Sequence, residues 1–169
     1  MPVTNEEVYK IHRDYLEHED ELVHHRTTAL ITIQSFLIAT FGFTYQKKYE
    51  IAEKLFSQDK SLTPAALGSI TDEYNGFLFI LAIVGAATSY IAWRSILAAT
   101  YAIKALESNW LQFCEHNPPE HLPGLTGGGI KKSTGDGISL ATWAPMFLLI
   151  LWLATIAALL VFVKIGLKP

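Results

Sequence analysis

Residues 138–163 read ISLATWAPMFLLILWLATIAALLVFV, and these twenty-six positions contain no charged side chain. A helix needs about 20 mostly apolar residues to cross the hydrocarbon core of a bilayer. The alternative, a water-soluble bundle that buries this helix, does not require an uncharged run of that length. The stretch therefore predicts a transmembrane helix. Pro145 lies near its start, where a helix loses least from a missing N–H.

Two other stretches have the same character. Residues 27–45 carry no charge, and residues 76–93 carry none before the pair Trp93-Arg94, which suits the headgroup level. Half of the 169 residues are hydrophobic and only 17% are charged, which is low for a water-soluble domain. We therefore expect a single all-α membrane domain with three transmembrane helices, over 27–45, 76–96 and 138–163.

The rest of the composition excludes several classes of protein. The net charge is −3 and no basic run exceeds two residues, so no nucleic-acid partner is expected. The single cysteine, Cys114, cannot form an internal disulfide. The first 26 residues are acidic and rich in histidine, unlike the basic start of a secretory signal, so no cleavage is expected. No catalytic triad, pair of catalytic carboxylates or cofactor motif is evident, so we do not expect an enzyme or a cofactor.

Two connectors join the predicted spans. Residues 46–75 form an external connector, in which Tyr49–Ser57 can extend the first helix and Pro64 restarts a helix. Residues 117–137 are rich in proline and glycine and predict a flexible loop. This loop contains GLTGGGIKKS, but a phosphate-binding loop that starts at Gly124 needs lysine at position 130, where Ile130 stands. A solvated turn is the better interpretation.

The second hydrophobic stretch continues as a helix beyond the bilayer. Small or apolar residues recur there every 3.5 positions, with small residues at bilayer depth and large ones beyond it. Such a helix of about 40 residues is about 60 Å long, so residues 97–116 must stand in water beside a partner. The N-terminal helix, residues 1–26, is continuous with the first span and is the expected partner in a cytoplasmic helical hairpin, the stalk. The predicted packing seam comprises Ala82, Gly85, Ser89, Ala92, Ile96, Ala99, Ile103, Leu106, Trp110 and Phe113.

The same spacing of 3.5 residues on the first helix defines a stripe that contains no large apolar residue. Its part outside the membrane is titratable, and its part inside carries hydroxyl groups and then small residues. In one interpretation the membrane part is a close-packing face against the second helix. In the other, copies of the first helix surround an axis, and the stripe lines a water-filled path with an acidic mouth. The vestibule candidates are Asp14, His18, Glu21 and His25, and the pore-lining candidates are Thr28, Thr32, Ser35, Ala39 and Gly42.

The vestibule residues also offer possible metal ligands. His18, Glu21 and His25 supply imidazole and carboxylate groups that suit zinc or another divalent metal. The motif HExxH is absent, because Leu22 stands where its second histidine is required. A solvated helix surface is the simpler interpretation of these residues.

Polar residues near the ends of the spans have structural interpretations. Arg26, Trp93 and Arg94 are expected to anchor the helices at the interface. For Arg26, an ion pair with Glu107 is the alternative. Gln34 is expected to hydrogen-bond between helices, because an unpaired amide in hydrocarbon costs several kcal/mol.

The run L-x-H-E-D-x-L-x-H-H-R-x-x-x-L-x-x-x-Q-S-F-L-x-A covers residues 16–39. It resembles the opening of an uncharacterised family of small bacterial integral-membrane proteins, which share an acidic N-terminal helix, an interfacial arginine and Q-S-F-L in the first span. Members often carry tryptophan where Ala29 stands here. The resemblance implies a bacterial inner membrane and no particular substrate.

These features predict a self-associating membrane protein. Lys and Arg number seven on the side of the N-terminus and six on the other, which slightly favours a cytoplasmic N-terminus. One chain is too small to enclose a pore, so we expect a homo-oligomer in the lipid bilayer. The expected function is a cation-favouring ion channel. The alternatives are a non-conducting accessory or scaffold subunit and a ligand-gated membrane effector, each with a protein partner at the stalk.

Overall fold

The computed structural model describes residues 4–58, 64–116, 125 and 131–166, and the side chains of most of them. These residues form three α-helices: α1 (Asn5–Gln58), α2 (Pro64–His116) and α3 (Lys131–Gly166). The described ranges contain no β-strand, so the predicted all-α fold is confirmed. All three helices are long and apolar enough to cross a membrane.

Helix α1 begins with a capping box. The backbone N–H and the hydroxyl of Thr4 donate to Glu7 Oε2 at 2.9 and 3.2 Å, and Thr4 Oγ1 accepts the Glu7 N–H at 3.3 Å. The bond from the Thr4 backbone, followed by that from its hydroxyl, lowers the pKa of Glu7. No proline or glycine occurs between Val3 and Phe41, so no helix breaker precedes or interrupts the first span up to that residue.

Helix α2 starts at Pro64, a residue preorganised for the first position of a helix, and continues to His116. The sequence predicts a loop over 117–137, whereas α3 already begins at Lys131. A helix can begin within the predicted loop, because each glycine in this short segment destabilises a helix by only about 1 kcal/mol. Residues 117–124 and 126–130 of the predicted loop, and 59–63 of the connector, lie outside the described residues.

The three helices pack as two compact units. Unit one consists of Met1–Ala29 and Ile91–Pro145, and unit two consists of Leu30–Tyr90 and Met146–Pro169. Each helix contributes one segment to each unit. Each helix is continuous in the chain, although its residues pack within two different units.

Unit one has a small core between α1 and α2. Val23 of α1 packs with Ile96 and Ala99 of α2, and Ala141 of α3 covers this group. Ile96 is completely buried, and Ala99 is 2% exposed. The alanines bring the helix backbones close together, since their side chains occupy little space.

The core of unit two is built around an indole ring. Trp152 of α3 packs with Ala82 and Ala86 of α2, and the ring of Phe41 from α1 meets it edge-on at a centroid distance of 5.8 Å. Small residues on α2 thus leave room for one large aromatic side chain of α3. All three helices meet at this point.

The outer surface of unit two is apolar. Phe36 is 71% exposed, Phe43 69% and Phe147 64%. Large apolar side chains exposed to this extent suit contact with lipid tails. The alternative of a water-soluble bundle does not account for these side chains.

Candidate functional site

Gln34 of α1 is a buried polar residue of unit two, only 2% exposed. Its Nε2 lies within donating distance of Ser89 Oγ (2.9 Å), Thr88 Oγ1 (3.0 Å) and the Gly85 carbonyl oxygen (3.1 Å) on α2. Its Oε1 accepts the indole N–H of Trp152 on α3 at 2.6 Å. One amide therefore bonds to both other helices, which confirms the hydrogen bonding expected for Gln34. We call this group the amide hub.

Gly85 makes the amide hub sterically possible. Trp152 lies so close to Gly85 that a Cβ atom at this position would overlap the indole ring. The hydroxyl of Ser89 donates to the Gly85 carbonyl oxygen at 2.8 Å, which leaves the Ser89 oxygen free to accept from Gln34. Among the described residues, no buried side-chain nitrogen or oxygen lacks a hydrogen-bond partner. The hub is thus a satisfied network, as a hydrocarbon environment requires.

The predicted packing seam of α2 lies among buried and half-buried positions in both units. In unit two the seam residues are small, and in unit one most of them are large. Ala82, Gly85, Ser89, Ile96, Ala99, Ile103 and Trp110 are buried, and Ala92, Leu106 and Phe113 are half-buried.

Four pore-lining candidates belong to unit two, and all four are exposed on α1: Thr32, Ser35, Ala39 and Gly42. The Ser35 hydroxyl donates to the Ile31 carbonyl oxygen at 2.8 Å. A side chain added at Gly42 would enter open space. The face of α1 that packs inward carries Gln34 instead. Within one chain, this stripe therefore does not pack closely against α2, contrary to the first of the two interpretations.

Arg26 in unit one bonds to the backbone of α2. Its Nη1 donates to the Ser95 carbonyl oxygen at 2.9 Å, and within the described residues it forms no ion pair with Glu107. Arg26 is half-buried, as is the predicted anchor Trp93, whereas Arg94 is exposed. The bond ties the stalk segment of α1 to α2 at this level.

An aromatic cluster joins the same two helices farther along the stalk. Trp110 of α2 is 5% exposed and meets the Tyr9 ring at a centroid distance of 5.4 Å and the His12 ring at 5.6 Å. Phe113 stacks on Trp110 at 5.6 Å. The contact is large because tryptophan has the largest apolar surface of any side chain. It holds the N-terminal end of α1 against the C-terminal end of α2.

The vestibule candidates lie on the outer side of α1 in unit one, together with the first pore-lining candidate. The structure exposes Asp14, His18, Glu21, His25 and Thr28. The rings of His24 and His25 are tilted neighbours at 6.0 Å. An open hollow of about 380 Å³ is lined by Ile11, Asp14, Tyr15 and His18.

The structure does not gather these residues into a metal site. Among the described residues, no group of three or more His, Cys, Asp or Glu side chains could hold a metal ion. His18 and His25 stand on one exposed helix, and seven residues separate them by about 10 Å along its axis. They cannot share an ion with Glu21 within one chain, which corrects the interpretation of these three residues as ligands.

Charged side chains resume directly after the first predicted span. Hydrogen bonds from Lys47, and then from Lys54, lower the pKa of the half-buried Glu50 to about 2. Lys48 Nζ donates to Asn75 Oδ1 of α2 at 2.7 Å. This polar group suits a boundary between hydrocarbon and water at residue 45.

Two features of these sites were not predicted from the sequence. The sequence did not identify Trp152 as the partner of Gln34, although a buried indole N–H needs an acceptor and an amide oxygen provides one. The hollow beside Ile11 and Tyr15 was not predicted either, because the sequence does not show which apolar side chains of α1 stay exposed.

Comparison with known proteins gave no relative: no protein-family model, no curated protein and no solved structure matches this chain. The resemblance of residues 16–39 to small bacterial membrane proteins stays a prediction.

Proposed function

We propose that this protein is a homo-oligomeric membrane protein in which copies of α1 surround a water-filled, cation-favouring path. The exposure of Thr32, Ser35, Ala39 and Gly42 supports this proposal. These four residues form one stripe on the exposed side of α1, which also carries large apolar side chains such as Phe36 and Phe43, and none of the four is large and apolar.

Such a stripe gains little from contact with lipid. The free energy of transfer into hydrocarbon scales with apolar area, and these four residues offer little of it. Arranged around a common axis, small residues leave space for water, and hydroxyl groups can bind water and ions. One α1 helix cannot enclose such a path, so several copies are required.

The charge of the stalk segment of α1 supports a preference for cations. Residues 5–29 contain seven carboxylates and three basic side chains. Asp14 and Glu21 are exposed and continue the stripe toward water. A ring of such carboxylates would concentrate cations at the mouth and repel anions.

We place the chain in a bacterial inner membrane with its N-terminus in the cytoplasm. The small excess of Lys and Arg on the side of the N-terminus and the resemblance of residues 16–39 to bacterial proteins support this location. The stalk would then stand in the cytoplasm.

The alternative is a non-conducting scaffold or accessory subunit, or a ligand-gated effector, whose stalk binds a protein. Ile11, Tyr15, Tyr101 and Leu111 support it, because they are 52–65% exposed beyond the predicted spans. Large apolar side chains exposed to water favour a protein partner. That partner is a second copy in the channel proposal and a foreign chain in the scaffold proposal.

Conductance of the purified protein in planar bilayers tests the channel. Ala39→Leu should reduce the current severalfold by narrowing the path. Ala87→Leu, the same change at an exposed alanine of α2, is the matched control and should leave the current unchanged. Absence of current together with a stoichiometric foreign subunit would support the scaffold. A detergent-solubilised particle with the mass of one chain would exclude the channel.

A further inference from the structure

Arg26 and Arg94 are the first charged residues beyond two predicted spans, on the same side of the membrane. The uncharged stretch of α1 starts directly after Arg26, and that of α2 ends directly before Arg94. Arg26 Nη1 donates to the Ser95 carbonyl oxygen at 2.9 Å, so the two arginines lie at one height within unit one. Because successive Cα atoms are about 3.8 Å apart, the backbone of Arg94 adjoins the Arg26 guanidinium. Both guanidinium groups can therefore reach one ligand at the edge of the hydrocarbon core.

Neither guanidinium forms an ion pair with a carboxylate of the described residues. Arg26 is half-buried and uses one of its five donors on the backbone of α2, and Arg94 is exposed. Helix α2 carries no acidic residue from position 76 to position 106. Along α1 the carboxylates begin at the exposed Glu21, five residues from Arg26, which places it about 7.5 Å farther from the membrane and about 140° around the helix. This level of α1 and α2 is therefore cationic.

The depth of the two arginines coincides with the membrane–water interface. The core of unit one places Ala141 of α3 beside Val23 and Ile96. Trp143 follows Ala141 by two residues toward the membrane, and Arg26 follows Val23 by three. At 1.5 Å per residue, the heights of Trp143 and Arg26 agree within about 2 Å. Trp143 is 51% exposed, and exposed tryptophan is typical of the headgroup level, so both arginines lie at the height of lipid phosphates.

The same side of α2 offers an apolar surface next to the cation. Ile91, three residues before Arg94, is 65% exposed. Residues three apart are neighbours on a helix surface, and Ile91 lies about 4.5 Å deeper in the membrane. A ligand that contacts both side chains must carry an anion at the headgroup level and an apolar chain below it. A phospholipid has this form, whereas a free phosphate ion lacks the chain.

We propose that Arg26 and Arg94 bind the headgroup of an anionic phospholipid from the leaflet on the side of the N-terminus. Guanidinium groups bind phosphate oxygens through paired N–H donors. Basic sites between membrane helices at this depth suit anionic headgroups. The ammonium group of a zwitterionic lipid would add a third positive charge, and α2 supplies no carboxylate at this height to pair with it. The site requires neither a second copy of the chain nor a conducting path.

Native mass spectrometry of the full chain, released from detergent with added lipid, tests the site. In an equimolar mixture of phosphatidylglycerol and phosphatidylcholine with the same acyl chains, the protein should retain mainly phosphatidylglycerol. Arg94→Gln should weaken this retention roughly tenfold, because a hydrogen bond between charged groups is lost. Lys104→Gln is the matched control: it removes an exposed cation of α2 ten residues, or about 15 Å, farther from the membrane, and should leave retention unchanged.

Two further variants guard against an effect on folding. Arg94→Lys keeps the charge without the planar fork and should recover part of the retention. Arg26→Gln combined with Arg94→Gln should abolish the preference between the two lipids. Equal retention of both lipids by the original chain, or undiminished retention by Arg94→Gln, would overturn the inference. Displacement of phosphatidylglycerol by millimolar inorganic phosphate, or an acidic protein bound in place of lipid, would overturn it as well.

Discussion

Replacing Gln34 by leucine removes the amide hub at nearly constant volume. The change abolishes the bond from the Trp152 indole and the donation to the hydroxyls of Ser89 and Thr88. Both hydroxyls keep their bonds to backbone carbonyl oxygens of α2, so they stay satisfied. The indole N–H of Trp152, in a side chain only 3% exposed, loses its acceptor.

The magnitude follows from the number of bonds lost. The amide offers one acceptor bond and two N–H bonds, and an interhelical hydrogen bond in a membrane contributes about 0.6 kcal/mol on average and up to about 1.7. The bond to Trp152 belongs at the upper end because nothing replaces it. Leucine packs better than glutamine in apolar surroundings, and this offsets part of the lost free energy of unfolding. We expect the free energy of unfolding to fall by about 2 kcal/mol.

Reversible unfolding by SDS in mixed micelles, followed by tryptophan fluorescence, measures this change. Ser35→Leu is the control, because Ser35 is the exposed neighbour of Gln34 and should change stability by less than about 0.5 kcal/mol. In a double-mutant cycle with Trp152→Phe, the two changes should be coupled by about 1 kcal/mol. A Gln34→Leu protein as stable as the original, or additive effects in the cycle, would refute the role of the hub.

Three further changes test other contacts. Gly85→Ala should cost about 1–3 kcal/mol and shift the fluorescence of Trp152, because the new methyl group overlaps the indole, whereas Gly42→Ala should be neutral or slightly stabilising. Arg26→Met should cost about 1 kcal/mol through the lost bond to α2, read by the same SDS titration. Trp110→Ala should cost about 3–5 kcal/mol and speed hydrogen exchange at the N-terminal end of α1, and unchanged exchange there would contradict the aromatic cluster.

The three helices could be predicted from the sequence because lipid imposes a simple requirement. A span must be long and uncharged, and the stretches around Gln34, Gly85 and Trp152 satisfy this condition whatever their neighbours are. Helix-breaking residues are absent from the start of α1, so its continuity was also predictable. The start of α3 was not, since glycines at a helix end cost little and local sequence barely distinguishes helix from loop there.

The orientation of α1 was harder to predict. A membrane helix is apolar on both its inner and its outer side, so hydrophobic periodicity does not tell which side faces protein. The side of Gln34 packs inward because an amide needs hydrogen-bond partners, as the sequence predicts. The partner Trp152 lies 118 positions away, and nothing in local spacing identifies it.

Gly85, Gln34 and Trp152 cannot vary independently in descendants of this chain. An indole at position 152 demands the absence of a side chain at 85 and an acceptor at 34, so a smaller residue at 152 would release both constraints together. Homologues whose sequences have otherwise diverged should therefore keep all three residues or lose them as a set. These three residues therefore offer a way to identify homologues whose overall sequence similarity is low.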